Sequence, residues 1–101
     1  MKQILLGLAI FIAAGSAHAW SAKGVQGCGV YVDDFDKGGW EMIANAGWLA
    51  GALTGYNFAK KSNVGAGVHI QSIHLHVYNY CKENPLKDTS DALQDLILNL
   101  K

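Results

Sequence analysis

The chain has 101 residues, half of them hydrophobic, with eight basic and eight acidic side chains and a formal net charge of zero. Every basic residue is a lysine, so the bidentate arginine contacts favoured in nucleic-acid recognition are missing, and so even a balance supplies no basic patch. Nucleic-acid binding is excluded on these grounds, and the length allows one small domain.

The first nineteen residues, MKQILLGLAIFIAAGSAHA, carry Lys2, an apolar stretch from Ile4 to Ala14, and small residues ending in Ala17, His18 and Ala19. This order of positive charge, apolar core and A-x-A site is that of a cleaved secretory signal peptide. A retained anchor is the alternative, but the apolar core is shorter than the roughly 20 residues a bilayer requires. With no lipid-attachment cysteine at the cleavage point, the expected destination is the periplasm. Residues 20–101 then make up one domain, with seven lysines against eight carboxylates and no membrane span left after cleavage.

From Trp20 to Gly39 the glycine-punctuated sequence reads as an extended lead-in that carries Cys28. The stretch WEMIANAGWLAGALTGYNFAKK follows, in which Trp40, Ile43, Ala44, Trp48, Leu49, Ala52, Leu53 and Tyr56 recur at three and four residues and predict one face of a helix. Its end is expected at Lys60-Lys61-Ser62-Asn63, where positive charge suits a helix C-terminus. Gly47, Gly51 and Gly55 stand four apart within it, and each interior glycine costs about 1 kcal/mol relative to alanine, so a helix-packing role is expected to offset them. Close approach of another helix in the same domain, a contact between copies of the chain, and a membrane face of the G-x-x-x-G kind are the three readings. Against the last stand Asn45, Thr54, Asn57 and the glycines themselves, together with Lys60 and Lys61 on what would be the exported side.

After the VGAG link, VHIQSIHLHVYNYC places Ile70, Ile73, Val77 and Tyr80/Cys81 on one helical stripe, closed by Pro85. Ile73 to Val77 also alternates with period two, so residues 69–78 have a strand as their alternative; the helix is preferred because no comparable second strand exists to pair with it. The last segment has Asp88 or Thr89 as N-cap, Ser90 and Asp91 in the first turn, and Leu93, Leu96, Ile97 and Leu100 as the apolar stripe of an amphipathic helix.

Cys28 and Cys81 are the only cysteines. In an exported domain of this size they read as one disulfide, closing a long loop worth roughly 4 kcal/mol in the chain-entropy account. A redox-active or metal-binding pair is the alternative, without C-x-x-C spacing to support it. His69, His74 and His76 are candidate pH sensors, since imidazole titrates between pH 5 and 8. On a helix His74 and His76 diverge, whereas His69 and His76, seven apart, could share a face, so a weak metal site is the minority reading and no metal is assigned. No nucleophile elbow, H-E-x-x-H or phosphate loop is present, and the glycine line lies inside a helix, so neither catalysis nor a cofactor is expected.

The segment YCKENPLKD, followed by an amphipathic terminal helix, resembles the second-cysteine region of the HdeA/HdeB acid-stress chaperones, and CGVYVDDF is similar to that family's first-cysteine segment, with Tyr31 three residues after the cysteine. The resemblance covers essentially residues 20–101. It implies an all-α, small single-domain bundle of three to five helices stapled by a Cys28–Cys81 bridge. It further implies a folded dimer at neutral pH that acid dissociates and partly unfolds, so that exposed apolar faces hold unfolding periplasmic proteins. The composition is compatible with that behaviour: once the carboxylates are protonated, seven lysines, three histidines and the amino terminus bring residues 20–101 to about +11. Client- or partner-binding residues would be Trp40, Trp48, Leu49 and Leu53 on one helix and Leu93, Leu96 and Ile97 on the other. The WLAGALTGYN segment also looks like small exported proteins of immunity type, which makes a specific periplasmic binder, a toxin immunity protein or an inhibitor of a cell-wall enzyme, the alternative function.

Overall fold

A computed structural model describes residues 24–101, so the expected signal peptide and Trp20 lie outside the described residues. Four α-helices follow one another: α1 (Cys28–Lys37), α2 (Trp40–Lys60), α3 (Ile70–Glu83) and α4 (Thr89–Leu100). No strand occurs among the described residues beyond one antiparallel bridge between Gly27 and Asp88. The architecture is therefore all-α, and the stretch 69–78 is helical after its first residue.

Over Cys28–Lys37 the first helix corrects the expected extended lead-in. Five glycines between Gly24 and Gly39 obscured a short helical stripe in which Cys28, Tyr31, Val32 and Phe35 recur at three and four residues. Two of those glycines instead punctuate the helix, Gly27 as N-cap and Gly38 as C-cap in the left-handed conformation (φ 68°), a backbone state that favours glycine. The outward side is acidic, and the exposed Lys37–Asp33 pair at 2.8 Å contributes little.

In α2 the buried face is rotated from the expected stripe. Leu49 and Leu53 are buried and Trp48, Ala52 and Tyr56 half-buried, but Trp40, Ile43 and Ala44 are exposed. At 100° per residue Trp40 lies opposite Leu49, so both cannot face one core. Asn57 fixes the C-terminus: its Oδ1 accepts from Ser62 Oγ and from Val64 N, and its Nδ2 donates to Val64 O, all at 2.9 Å.

Ile73, Val77 and Cys81 form the buried stripe of α3, and His69 caps it, its ring accepting from Gln71 N. In α4 Asp88 is the N-cap in a reciprocal capping box with Asp91, while Thr89, Ala92, Leu93, Leu96 and Ile97 are buried. The core has two parts, one around Cys28, Tyr31, Leu49, Val77, Cys81 and Ala92, the other around Leu53, Ile73, Leu93, Leu96 and Ile97, with Trp48 packed against both.

Cys28 and Cys81 are disulfide-bonded, with Cα atoms 4.7 Å apart across a sequence separation of 53. Backbone bonds tie the same region to the start of α4: Cys28 N donates to Lys87 O and Thr89 N to Gln26 O, each at 2.9 Å, and Gln26 N donates to Thr89 Oγ1 at 3.1 Å. Three helix ends thus meet at one point. Phe35 and Tyr78, ring centroids 4.3 Å apart, continue the α1–α3 contact.

Replacing both cysteines by serine is expected to lower unfolding free energy by about 4 kcal/mol, read from urea denaturation at neutral pH. A loss below about 1 kcal/mol would contradict the structural importance assigned to the bridge.

Candidate functional site

Helix α2 packs against α1 and touches α3, but along α4 it stands off. The gap is an open groove of about 490 Å3, with Trp48, Ala52 and Tyr56 on one wall and Leu93, Ile97 and Leu98 on the other. Only Ser90, Gln94 and Lys101 bring polar groups to its edge, and the Lys101 ammonium lies 5.8 Å from the centre of the Tyr56 ring. Helical periodicity explains the walls: Trp48, Ala52 and Tyr56 are successive i, i+4 positions, as are Leu93 and Ile97, so each helix presents a continuous apolar ridge. Such a surface can accept an apolar segment, with the Ser90 hydroxyl, the Lys101 ammonium and the Tyr56 phenol as its polar points.

The expected binding residues are divided by this geometry. Trp48, Leu93 and Ile97 line the groove, Leu49, Leu53 and Leu96 lie in the core beneath it, and Trp40 is on the outer side of α2, away from it. Leu98 and Tyr56 were not singled out from the sequence as binding residues; Leu98 follows the buried Ile97, and only the stand-off of α2 makes it a wall. Gly47, Gly51 and Gly55 do not receive another helix of the domain. All three are exposed, and beyond the adjoining helix backbone and chain neighbours a Cβ on any of them would meet no described atom within 4 Å. No described helix is long and apolar enough to cross a membrane.

The three histidines occupy three different settings. His69 is the N-cap of α3. His76 Nε2 and Asp95 Oδ2 are 2.8 Å apart and join α3 to α4 beside an open hollow of about 290 Å3 bordered by Asn79, Tyr80, Glu83 and Asn84. His74 is turned toward α1 and α2, in contact with a tight space lined by Tyr31, Phe35, Met42 and Asn45, and its Nε2 is buried without a hydrogen-bond partner of normal geometry. They do not converge, and no group of three metal-ligating side chains occurs among the described residues.

Electrostatics single out His74. Burial lowers its pKa below the ordinary histidine value, and the nearby Ala46 carbonyl opposes this only in part. The carboxylate in this interface, Asp34, is already engaged by Asn45 Nδ2 at 3.0 Å, and Tyr31, whose hydroxyl donates to the His74 carbonyl at 3.4 Å, is pushed up to about 12 by burial and stays neutral. A proton on His74 would therefore place positive charge between α2 and α3 with no free counter-charge shown beside it. Asp88 behaves in the opposite sense. The Ser90 hydroxyl and the backbone amides of the first turn hold its carboxyl below the usual range.

Comparison of the chain with protein-family models, curated proteins and solved structures found no match.

The sign of the His74 effect follows from the direction of its shift. With the folded pKa below the unfolded one, stability is full above about pH 6.5 and falls as pH drops through that value toward the folded pKa, because the unfolded chain takes up the proton first. Substituting His74→Leu is expected to remove this decline while changing stability at pH 7.5 by no more than about 1 kcal/mol. Denaturation curves at pH 7.5 and 5 test it, and an unchanged decline in the variant would show that His74 is not the group responsible.

Proposed function

We propose that the protein is a periplasmic holdase-type chaperone, opened by acid, that holds apolar segments of unfolding proteins on the facing surfaces of α2 and α4. The observation that carries this reading is the apolar groove between Trp48, Ala52 and Tyr56 and the Leu93, Ile97 and Leu98 wall. An extended apolar surface already parted at its edge requires little further separation to expose Leu49, Leu53 and Leu96, the buried residues beneath it. The specificity required of a holdase is low, which suits a lining of aliphatic and aromatic side chains with few polar groups to fix orientation.

Acid acts in two steps on this account. Protonation of His74 loosens α2 from α3 as pH falls below about 6.5, protonation of the carboxylates at lower pH leaves a strongly positive chain whose repulsion keeps the helices apart, and the Asp88 cap is lost last because its carboxyl is held below the usual range. The Cys28–Cys81 bridge limits how far the chain expands. It also suits an oxidising compartment, in agreement with export by the first nineteen residues. The resemblance of YCKENPLKD and CGVYVDDF to the HdeA/HdeB chaperones supports the same function.

A second reading has its own support. The groove is already open in the folded form, which favours a specific periplasmic partner bound at neutral pH, as an immunity protein or an enzyme inhibitor would require. No catalytic role is proposed under either reading.

Titrating the oxidised protein from pH 7 to 2, with near-UV circular dichroism, dye binding and light scattering of a denaturing client, separates the two. The chaperone reading expects packing to be lost and client aggregation suppressed over the same pH range. Leu98→Lys, a change at a 72% exposed wall position, is expected to weaken that protection several-fold without altering stability by more than about 0.5 kcal/mol. A protein that stays packed, or opens without protecting clients, contradicts the chaperone reading.

A further inference from the structure

The groove between α2 and α4 has two chemically different ends. Trp48 and Thr89 line a tight hollow at one of them, where Asp88 and Asp91 form the capping box of α4. At the other the Lys101 ammonium lies against the Tyr56 ring, and Lys60, one turn beyond Tyr56, closes α2 with Lys61 after it. No carboxylate side chain occurs between Asn57 and Lys82 or after Asp95, and Asp95 is engaged by His76. None of the three lysines forms an ion pair among the described residues. Together they outweigh the partial negative charge of the two helix C-termini here, about half a charge each.

The walls between these ends narrow the class of ligand further. Their only uncharged polar groups are the Ser90 hydroxyl, the Gln94 amide and the Tyr56 phenol. An extended peptide lying in the closed groove would bring a backbone donor and acceptor with every residue, more than these groups can satisfy. An acyl chain brings none. The α4 wall from Ser90 to Lys101 is about 16 Å long at 1.5 Å per residue, the reach of a saturated chain of medium length. The volume of about 490 Å3 is that of a small-molecule site, for which roughly 300–1,000 Å3 is usual. Lysine ammoniums act as point charges, and with no arginine in the chain there is no planar fork to favour a phosphate, so a carboxylate is the matching head group.

We propose that the groove binds one free medium-chain fatty acid, with its chain along the walls of α2 and α4 and its carboxylate at Lys101 and Lys60. The bound state is the closed, folded form at neutral pH. The site therefore goes beyond client holding, and it stands whether or not the same walls take clients after acid has parted them.

Calorimetric titration of the oxidised protein at pH 7.5 with dodecanoate, and with dodecylammonium as the cation of equal chain length, tests the site with no client present. Dodecanoate is expected to bind one to one in the micromolar range, and the amine at least about tenfold more weakly. Shortening the acid to decanoate and then octanoate is expected to lose affinity several-fold at each step, because fewer methylenes are buried. Exchanging Lys60→Gln and Lys101→Gln together is expected to bring acid and amine within about threefold of each other. Leu98→Asp, at an exposed wall position, is expected to weaken dodecanoate at least about tenfold with an unchanged near-UV spectrum, whereas Leu98→Lys and, on the outer side of α2, Trp40→Ser spare it. No binding below about 1 mM, equal binding of acid and amine, indifference to Leu98→Asp, or loss through Trp40→Ser would each overturn the proposal. None of these outcomes bears on acid opening or client protection, which the titration to pH 2 reads separately.

Discussion

The junction around Cys28 and Cys81 is the constraint on which the remainder of the structure depends. Cys28 opens α1, Cys81 lies in the last turn of α3, and the backbone of residues 26–28 is hydrogen-bonded to residues 87–89 at the start of α4. One covalent bond and a few backbone bonds therefore fix the relative positions of three helix ends. A core of this size has little net stability of its own, so a bridge closing so long a loop supplies a substantial share of it. The Asp88 cap works at the same point, since it sets where α4 begins and hence where Thr89 can bond Gln26.

Helix α2 lies largely outside this junction. It is the longest helix but places only Leu49 and Leu53 fully in the core, and it contacts its neighbours through the His74 interface at one end and the partly open groove at the other. The consequence is a division between a covalently tied unit, α1, α3 and α4, and an arm held by apolar contact and by the neutrality of one histidine. On the proposed function, acid would open the domain at this division without unravelling it. One helix thus serves core and groove by different sides, while Trp40, Ile43 and Phe58 on its outer side are exposed.

Much of this was legible in the sequence where local chemistry determines it. The periodicity of Ile73, Val77 and Cys81, the Asp88 and Asp91 pattern at the start of α4, and the two cysteines each specify their element with little help from the rest of the chain. Helix α1 was hidden because glycines at 24, 27, 29, 38 and 39 dominate its composition, although two of them are its caps. The inner face of α2 was misplaced for a different reason. Trp40 and Ile43 are as hydrophobic as any core residue, and nothing local distinguishes a face that meets α3 from one that meets water. The separate settings of His69, His74 and His76 depend on how α3 rotates against its neighbours, which the spacing of three histidines does not encode. The groove is tertiary in origin, arising where α2 fails to close on α4.

Hydrogen exchange of backbone amides in the oxidised protein, compared at pH 7 and at pH 4 after correction for intrinsic rates, measures this division most directly. The account predicts that α2 loses protection first and as a unit, while amides of α1, α3 and the start of α4 around the Cys28–Cys81 bridge remain protected. Uniform loss across all four helices, or an α2 that stays protected longer than α1, would contradict it.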